Sequence, residues 1–162
     1  MKLNIVQDLI VNWLKKYAKT SNSKTLVIGV SGGIDSALTS TLCAMTDIET
    51  IVLSMPIHPK KNQLYNANSH GKWLMKCYSN IKLLTIELTD LFENYKKSIP
   101  GKYHSELNLA NSRARLRMIT LYHIASKKNG LVVGTGNKIE DFGIGFFTKY
   151  GDGGVDISPI AD

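Results

Sequence analysis

Cysteine is scarce in this chain. Cys43 and Cys77, the two in 162 residues, lie far apart in helix-like stretches without a paired-ligand spacing, so neither a disulfide framework nor a zinc cluster organises the fold. Both read as buried free thiols. Long apolar runs are missing too: nothing approaches the roughly 18 residues that a membrane span needs. The N-terminal MKLNIVQDLIVNWLKKYAK alternates polar and apolar residues where a signal peptide would carry an apolar block, so the expected compartment is the cytoplasm. His58, His70, His104 and His123 show no metal spacing. Internal repeats and low-complexity tracts are absent, and 43% hydrophobic residues over this length suit one globular domain. Acidic residues are outnumbered, 13 against 20 Lys and Arg, and the net charge of +7 suits polyanionic partners such as nucleic acid or nucleotide phosphates. Most lysines are surface singles or pairs. All three arginines fall in one stretch, RARLR, as Arg113, Arg115 and Arg117.

What is present is an alternation of strand and helix signals. Ile5, Leu9, Trp13 and Tyr17 recur at four-residue spacing and predict a first helix over 5–19. TLVIGV (25–30), TIVLSM (50–55), IKLLTIEL (81–88) and GLVVGTG (130–136) read as strands. Helices are expected over 34–46, 63–79, 89–98 and 106–129. Such an alternation implies an α/β fold, an open and mostly parallel sheet with helices on both faces. Near the end, GIGFFTKYGDGGVD carries five glycines, which predicts a mobile loop able to act as a lid.

The stretch LVIGVSGGIDS carries the chemistry. Glycines after a buried strand let the chain turn with its N–H groups inward, and the following helix adds its positive N-terminal end. Ser31 and Ser36 add hydroxyls. The loop lacks the Gly-Lys-Ser/Thr ending of a Walker A motif, and it is not GxGxxG. A carboxylate beside phosphates repels them unless a divalent cation stands between, so Asp35 reads as a magnesium ligand.

SGGIDS resembles the pyrophosphate-binding loop of the N-type ATP pyrophosphatases, which cleave ATP between the α- and β-phosphates. Within that superfamily NSRARLRMITLY (111–122), LVVGTGNKIE (131–140) and GFFTKYGDGGVDISPIAD (145–162) resemble NAD synthetases. The resemblance implies an adenine-nucleotide α-hydrolase-like, Rossmann-like fold. It also implies amidation of deamido-NAD with ammonia, driven by ATP and Mg2+ through an adenylated carboxylate. It places Gly29, Val30, Ser31, Gly32, Gly33, Ile34, Asp35, Ser36 and Thr135 around ATP, with Asp35 and Glu140 holding magnesium. Asn111, Arg115, Lys149, Asp152 and Asp156 are given to deamido-NAD, with Lys149 counted beside Asp35 and Glu140 as catalytic. Arg113 and Arg117, on another helix face, are expected to be solvated or ion-paired. His58 and Gln63 receive no role.

The resemblance further implies a homodimer, free ammonia as nitrogen source, and a single domain over 1–162 that lacks the C-terminal segment with which the family continues. Two other readings stay open. A tRNA-modifying pyrophosphatase would use the same loop and the basic charge, though the deamido-NAD blocks make nucleic acid the weaker partner. A non-catalytic nucleotide-binding module is the other.

Overall fold

Four short β-branched and leucine-rich runs pair as parallel strands: β1 (Thr25–Val30), β2 (Glu49–Ser54), β3 (Ile81–Thr85) and β4 (Gly130–Val133). The computed structural model describes residues 2–161, so Met1 and Asp162, the outermost positions of the expected domain, lie outside it. The strand order is β3-β2-β1-β4. The chain therefore steps outward in one direction from β1 to β3 and then returns to the other side of β1. Sheets wound this way leave a crevice beyond the strands' C-terminal ends at the point of reversal. Here that point lies between β1 and β4, whose last paired residues on the C-terminal side are Ile28 and Val133.

Because strand side chains alternate, the sheet is apolar on both faces, and two helical layers cover it. On one face Leu26, Ile28 and Val52 pack against α1 (Leu3–Thr20), α2 (Ile34–Ala44) and α3 (Lys61–Cys77), which contribute Leu14, Leu42 and Leu74. On the other, Val27, Ile51, Leu53 and Val132 meet Phe92 of α4 (Thr89–Ser98) and Met118, Leu121 and Ala125 of α5 (Glu106–Lys128). Each large side chain buried this way contributes roughly 1.5–3 kcal/mol. Ser105 caps α5 by accepting from the Asn108 amide at 3.1 Å, and Asn129 ends it in the left-handed conformation.

Differences from the sequence reading have physical reasons. The stripe used to predict α1 is not its buried face: Val11, Leu14 and Ala18 are buried, whereas Ile5, Leu9, Trp13 and Tyr17 stay exposed. Cys43 is buried, but Cys77 is exposed, which corrects the expectation of two buried thiols. β3 ends three residues early. β4 also ends three residues early, because 155–157 folds along its outer edge. The Gly134 amide donates to Ile157 O at 2.8 Å there, and Val133 pairs with Ile157. A π-helical turn, Ile139–Ile144, follows β4 and was not predicted.

Candidate functional site

The Gly-Gly loop leaves β1 with Gly32 in the left-handed region, at φ +84°, a conformation that favours glycine. A Cβ there would also lie 3.2 Å from Gln63 Cα and closer still to the Gln63 carbonyl, so the loop touches the backbone of the first turn of α3. Gly33 is extended and begins α2. Two serines brace the turn. The Ser31 hydroxyl accepts from the Gly33 amide at 3.2 Å, while Ser36, itself buried, donates to Gly33 O at 2.9 Å and receives the Ser31 amide at 3.2 Å. Ser36 therefore holds the loop from beneath, and Ser31 stands at its surface. The first amides of α2 have no partner within the helix and face outward with its positive end.

Two cavities flank this loop. One, of about 420 Å³, lies among the ends of β1, β2 and β4 and the side of α5, lined by Gly29, Val30, Ser31, Thr135, Asp152 and Arg117 among others. The other, of about 390 Å³, is lined by Val30, Gly32, Gly33, Ile34, Ser36 and neighbours from α3. His58 and Gln63 also line the first cavity. The His58 ring nitrogen Nε2 lies 2.8 Å from Glu93 Oε1, and that bond holds the Glu93 carboxyl below its ordinary range. His70, beside Ser40 Oγ at 2.8 Å, is kept toward its neutral form by burial.

Asp35 stands half-buried in the first turn of α2, and Glu140 stands exposed in the π-helical turn after β4. Asn137 links them. Its Nδ2 reaches Asp35 Oδ1 at 3.5 Å, and its Oδ1 accepts from the amides of Ile139 and Glu140 at 3.1 and 3.0 Å. Neither acid forms an ion pair among the described residues. Among the described residues no group of three or more His, Cys, Asp or Glu gathers there as a self-sufficient metal cage. Two carboxylates without nitrogen or sulfur donors suit a hard cation that keeps waters and shares ligand oxygens, which is the habit of Mg2+. A third acid, Asp141, is raised above its ordinary range by burial and then by the nearby Asp152 charge. Gly136 leaves room for it, since a Cβ at that position would overlap the Asp141 carboxylate.

The Gly-rich loop after the π-helical turn is tied down. Thr148 Oγ1 donates to Asn111 Oδ1 at 2.9 Å, Arg115 Nε donates to Lys149 O at 3.1 Å, and the Thr148 amide donates to Asp152 Oδ1 at 2.7 Å. Asn111 and Arg115 thus hold this loop in the structure, and they line a third cavity of about 210 Å³ between α4 and α5. Lys149 is exposed, with Nζ 5.0 Å from the Tyr150 ring centroid, and lines none of these three cavities.

Asp156, exposed toward the end of that loop, accepts from the Tyr122 hydroxyl through Oδ1 at 2.9 Å and from the Val132 amide through Oδ2 at 2.7 Å. Burial and this bond push the Tyr122 hydroxyl up to about 12. One expectation changes: Arg117 is partly buried and forms no ion pair with any described residue. It lines the first cavity, donates from Nε to Met55 O at 2.9 Å, and has its pKa lowered by burial and then by Arg113. Arg113 lies over the Phe92 ring at 5.5 Å. Helical periodicity held the missed signal, because Arg117 falls at i+3 from Ala114 and i−4 from Leu121, inside the apolar stripe. Asn137 lies in LVVGTGNKIE, yet its bridging geometry is invisible before folding.

A family model described as NAD synthase matches residues 6–162. An NH3-dependent NAD+ synthetase from Mesoplasma florum is 40% identical over 99% of this chain and 64% of its own length. Among solved structures, an NH3-dependent NAD synthetase from Campylobacter jejuni, in complex with nitrate, superposes with TM-score 0.90 at 32% identity, covering 100% of this chain and 68% of that one. An NMN synthetase from Francisella tularensis does so with TM-score 0.90 at 32% identity, covering 100% and 66%. The chain spans less than two thirds of the length of the Mesoplasma relative, at 64%.

Proposed function

The chain belongs to the NAD synthase family, and on that premise we propose that it works in the ATP-dependent amidation of deamido-NAD by ammonia. One observation carries the reading. The loop after β1, the N-terminus of α2 and the loop after β4 meet where the strand order reverses, with Asn137 of the β4 loop reaching Asp35 of α2.

In the proposed reaction a carboxylate oxygen of the substrate attacks the α-phosphorus of ATP, pyrophosphate leaves, and ammonia then displaces AMP from the acyl adenylate. No protein nucleophile is needed, so the site's task is to place reactants and stabilise charge where it builds. Amides of the Gly-Gly loop and the α2 N-terminus receive the leaving pyrophosphate. Thr135 closes the ATP site from the β4 side. Asp35 and Glu140 would hold Mg2+, which supplies positive charge against the phosphates when bound. Asn111, Arg115, Lys149, Asp152 and Asp156 would meet deamido-NAD, and the bonds from Asn111 and Arg115 to Thr148 and Lys149 support keeping this loop beside α5.

Free ammonia as nitrogen source is supported by the names of the Mesoplasma and Campylobacter relatives. A homodimer is supported by the large apolar side chains left exposed on α1. We also read the protein as cytoplasmic. No helix among the described residues is long and apolar enough to cross a membrane.

A second reading has its own support in the Francisella relative, named for making NMN: the carboxylate substrate is then nicotinate mononucleotide. Turnover with the two substrates side by side separates the readings. For the shared ATP half, Asp35→Asn and Glu140→Gln should each lose Mg2+-dependent ATP affinity. Unchanged affinity in both variants would refute the metal assignment.

A further inference from the structure

Among the described residues Arg117 is a cation without a counter-ion. It leaves α5 toward the crevice, and its Nε is fixed by the bond to Met55 O at 2.9 Å. Its two remaining nitrogens make no hydrogen bond or ion pair with any described residue. Arg113, one helical turn earlier on α5, has the same sign and opposes it. A guanidinium taken partly out of water with no acid beside it is costly to keep, and a well-placed anion offsets that cost. Asp152, which lines the same crevice, does not neutralise it. Asp152 Oδ1 receives the Thr148 amide, and no ion pair joins the two side chains.

Arg117 shares its cavity with Gly29, Ser31 and Thr135, while Gly32 and Gly33 line the cavity on the far flank of the loop. We infer that Arg117 binds the α-phosphate of the adenine nucleotide held in this crevice. The inference rests on the proposed nucleotide reading of the crevice and goes beyond it in naming the cation. Attack on the α-phosphorus brings a substrate carboxylate against a phosphate, two anions. A guanidinium held by its Nε presents its remaining N–H groups to that phosphate without reorganising. Arg117 thus acts on the adenylation step, and Met55 O sets its aim.

The test is calorimetric titration of the wild-type chain, Arg117→Lys and Arg117→Gln with AMP and with adenosine, each variant checked by thermal melting. The expected result is about a tenfold or larger loss of AMP affinity in Arg117→Gln with adenosine affinity unchanged. Arg117→Lys should fall between, keeping the charge but losing the fork. A parallel loss for AMP and adenosine would show that Arg117 only braces the cavity wall through Met55, and would overturn the inference. So would unchanged affinity for both ligands. If Gln at 117 prevents folding, the AMP-to-adenosine ratio of the Lys variant decides alone. The nucleotide reading is judged separately by the wild-type chain: failure to bind AMP or ATP overturns that reading, and this inference with it.

Discussion

Replacing Gly32 by alanine should damage the chain in a way that replacing Gly33 does not. Gly32 sits at φ +84°, where an L-residue costs about 1–2 kcal/mol. The added methyl would also meet the Gln63 backbone, with Gln63 C at 3.1 Å and Cα at 3.2 Å. Backbone in the first turn of a helix cannot swing aside as a side chain can, so overpacking of this kind adds about 1–3 kcal/mol. Alanine restricts the unfolded chain and returns about 0.4–1 kcal/mol. The net cost is about 2–4 kcal/mol, or about 5–15 °C in Tm for a chain of this size. Gly33 is extended at φ −89°, and its Cβ would lie 3.3 Å from Ser31 Oγ, a hydroxyl free to rotate, so Gly33→Ala should stay within about 1 kcal/mol of wild type. Thermal melts give the stabilities. Titration with pyrophosphate and Mg2+ reads the loop, where Gly32→Ala should bind far more weakly because α3 pushes the cradle out of shape. Equal melting temperatures and equal affinities for the two variants would refute the claim that the turn depends on left-handed backbone packed on α3.

A thiol reagent should label Cys77 alone in the folded protein, since Cys43 is buried with its pKa pushed up to about 12; mass spectrometry showing both labelled without denaturant would contradict that. Asn137→Leu should uncouple Asp35 from the β4 loop and weaken Mg2+-dependent ATP binding while adenosine binding holds, measured by calorimetry. Asp156→Asn keeps one acceptor oxygen where two are used: with that oxygen on the Tyr122 hydroxyl its NH2 meets the Val132 N–H donor to donor, and it should destabilise by about 1–3 kcal/mol in denaturant melts. Glu49 accepts from Lys82 and Thr25, with Lys128 nearby, and these groups hold its carboxyl below the ordinary value. Its stabilisation is therefore full above the unfolded pKa of about 4.3 and disappears as pH falls through the lower folded value. Glu49→Gln should cost at most about 1 kcal/mol at pH 7 and nothing at pH 2, read from urea midpoints.

Period and punctuation made the sheet legible. β1 and α4 fall at the expected bounds, and the other elements agree within a few residues except at the C-terminal ends of β3 and β4. Those two ends depend on partners far along the chain. Ile157 takes the Gly134 amide, and no local pattern around residue 134 announces that. The four-residue stripe of α1 misled because a step of four overshoots the helical period of 3.6, so the line drifts off the buried face. In the site, the Gly-Gly loop and Asp35 follow from local chemistry, since a turn, a helix N-terminus and a displaced charge all lie within SGGIDS. Arg117 does not: its charge suggests solvent, while its spacing puts it in the apolar stripe and its Nε on Met55 O.

The central claim, that a carboxylate is adenylated in this crevice, is tested most directly by isotope transfer. Deamido-NAD labelled with ¹⁸O in its carboxylate would be incubated with the protein, ATP, Mg2+ and ammonium, and the products read by mass spectrometry. The carboxylate oxygen that bonds to the α-phosphorus stays on phosphorus when ammonia displaces AMP, so the account predicts NAD together with AMP carrying one ¹⁸O. Unlabelled AMP formed alongside NAD, or ATP cleaved to ADP instead, would contradict it.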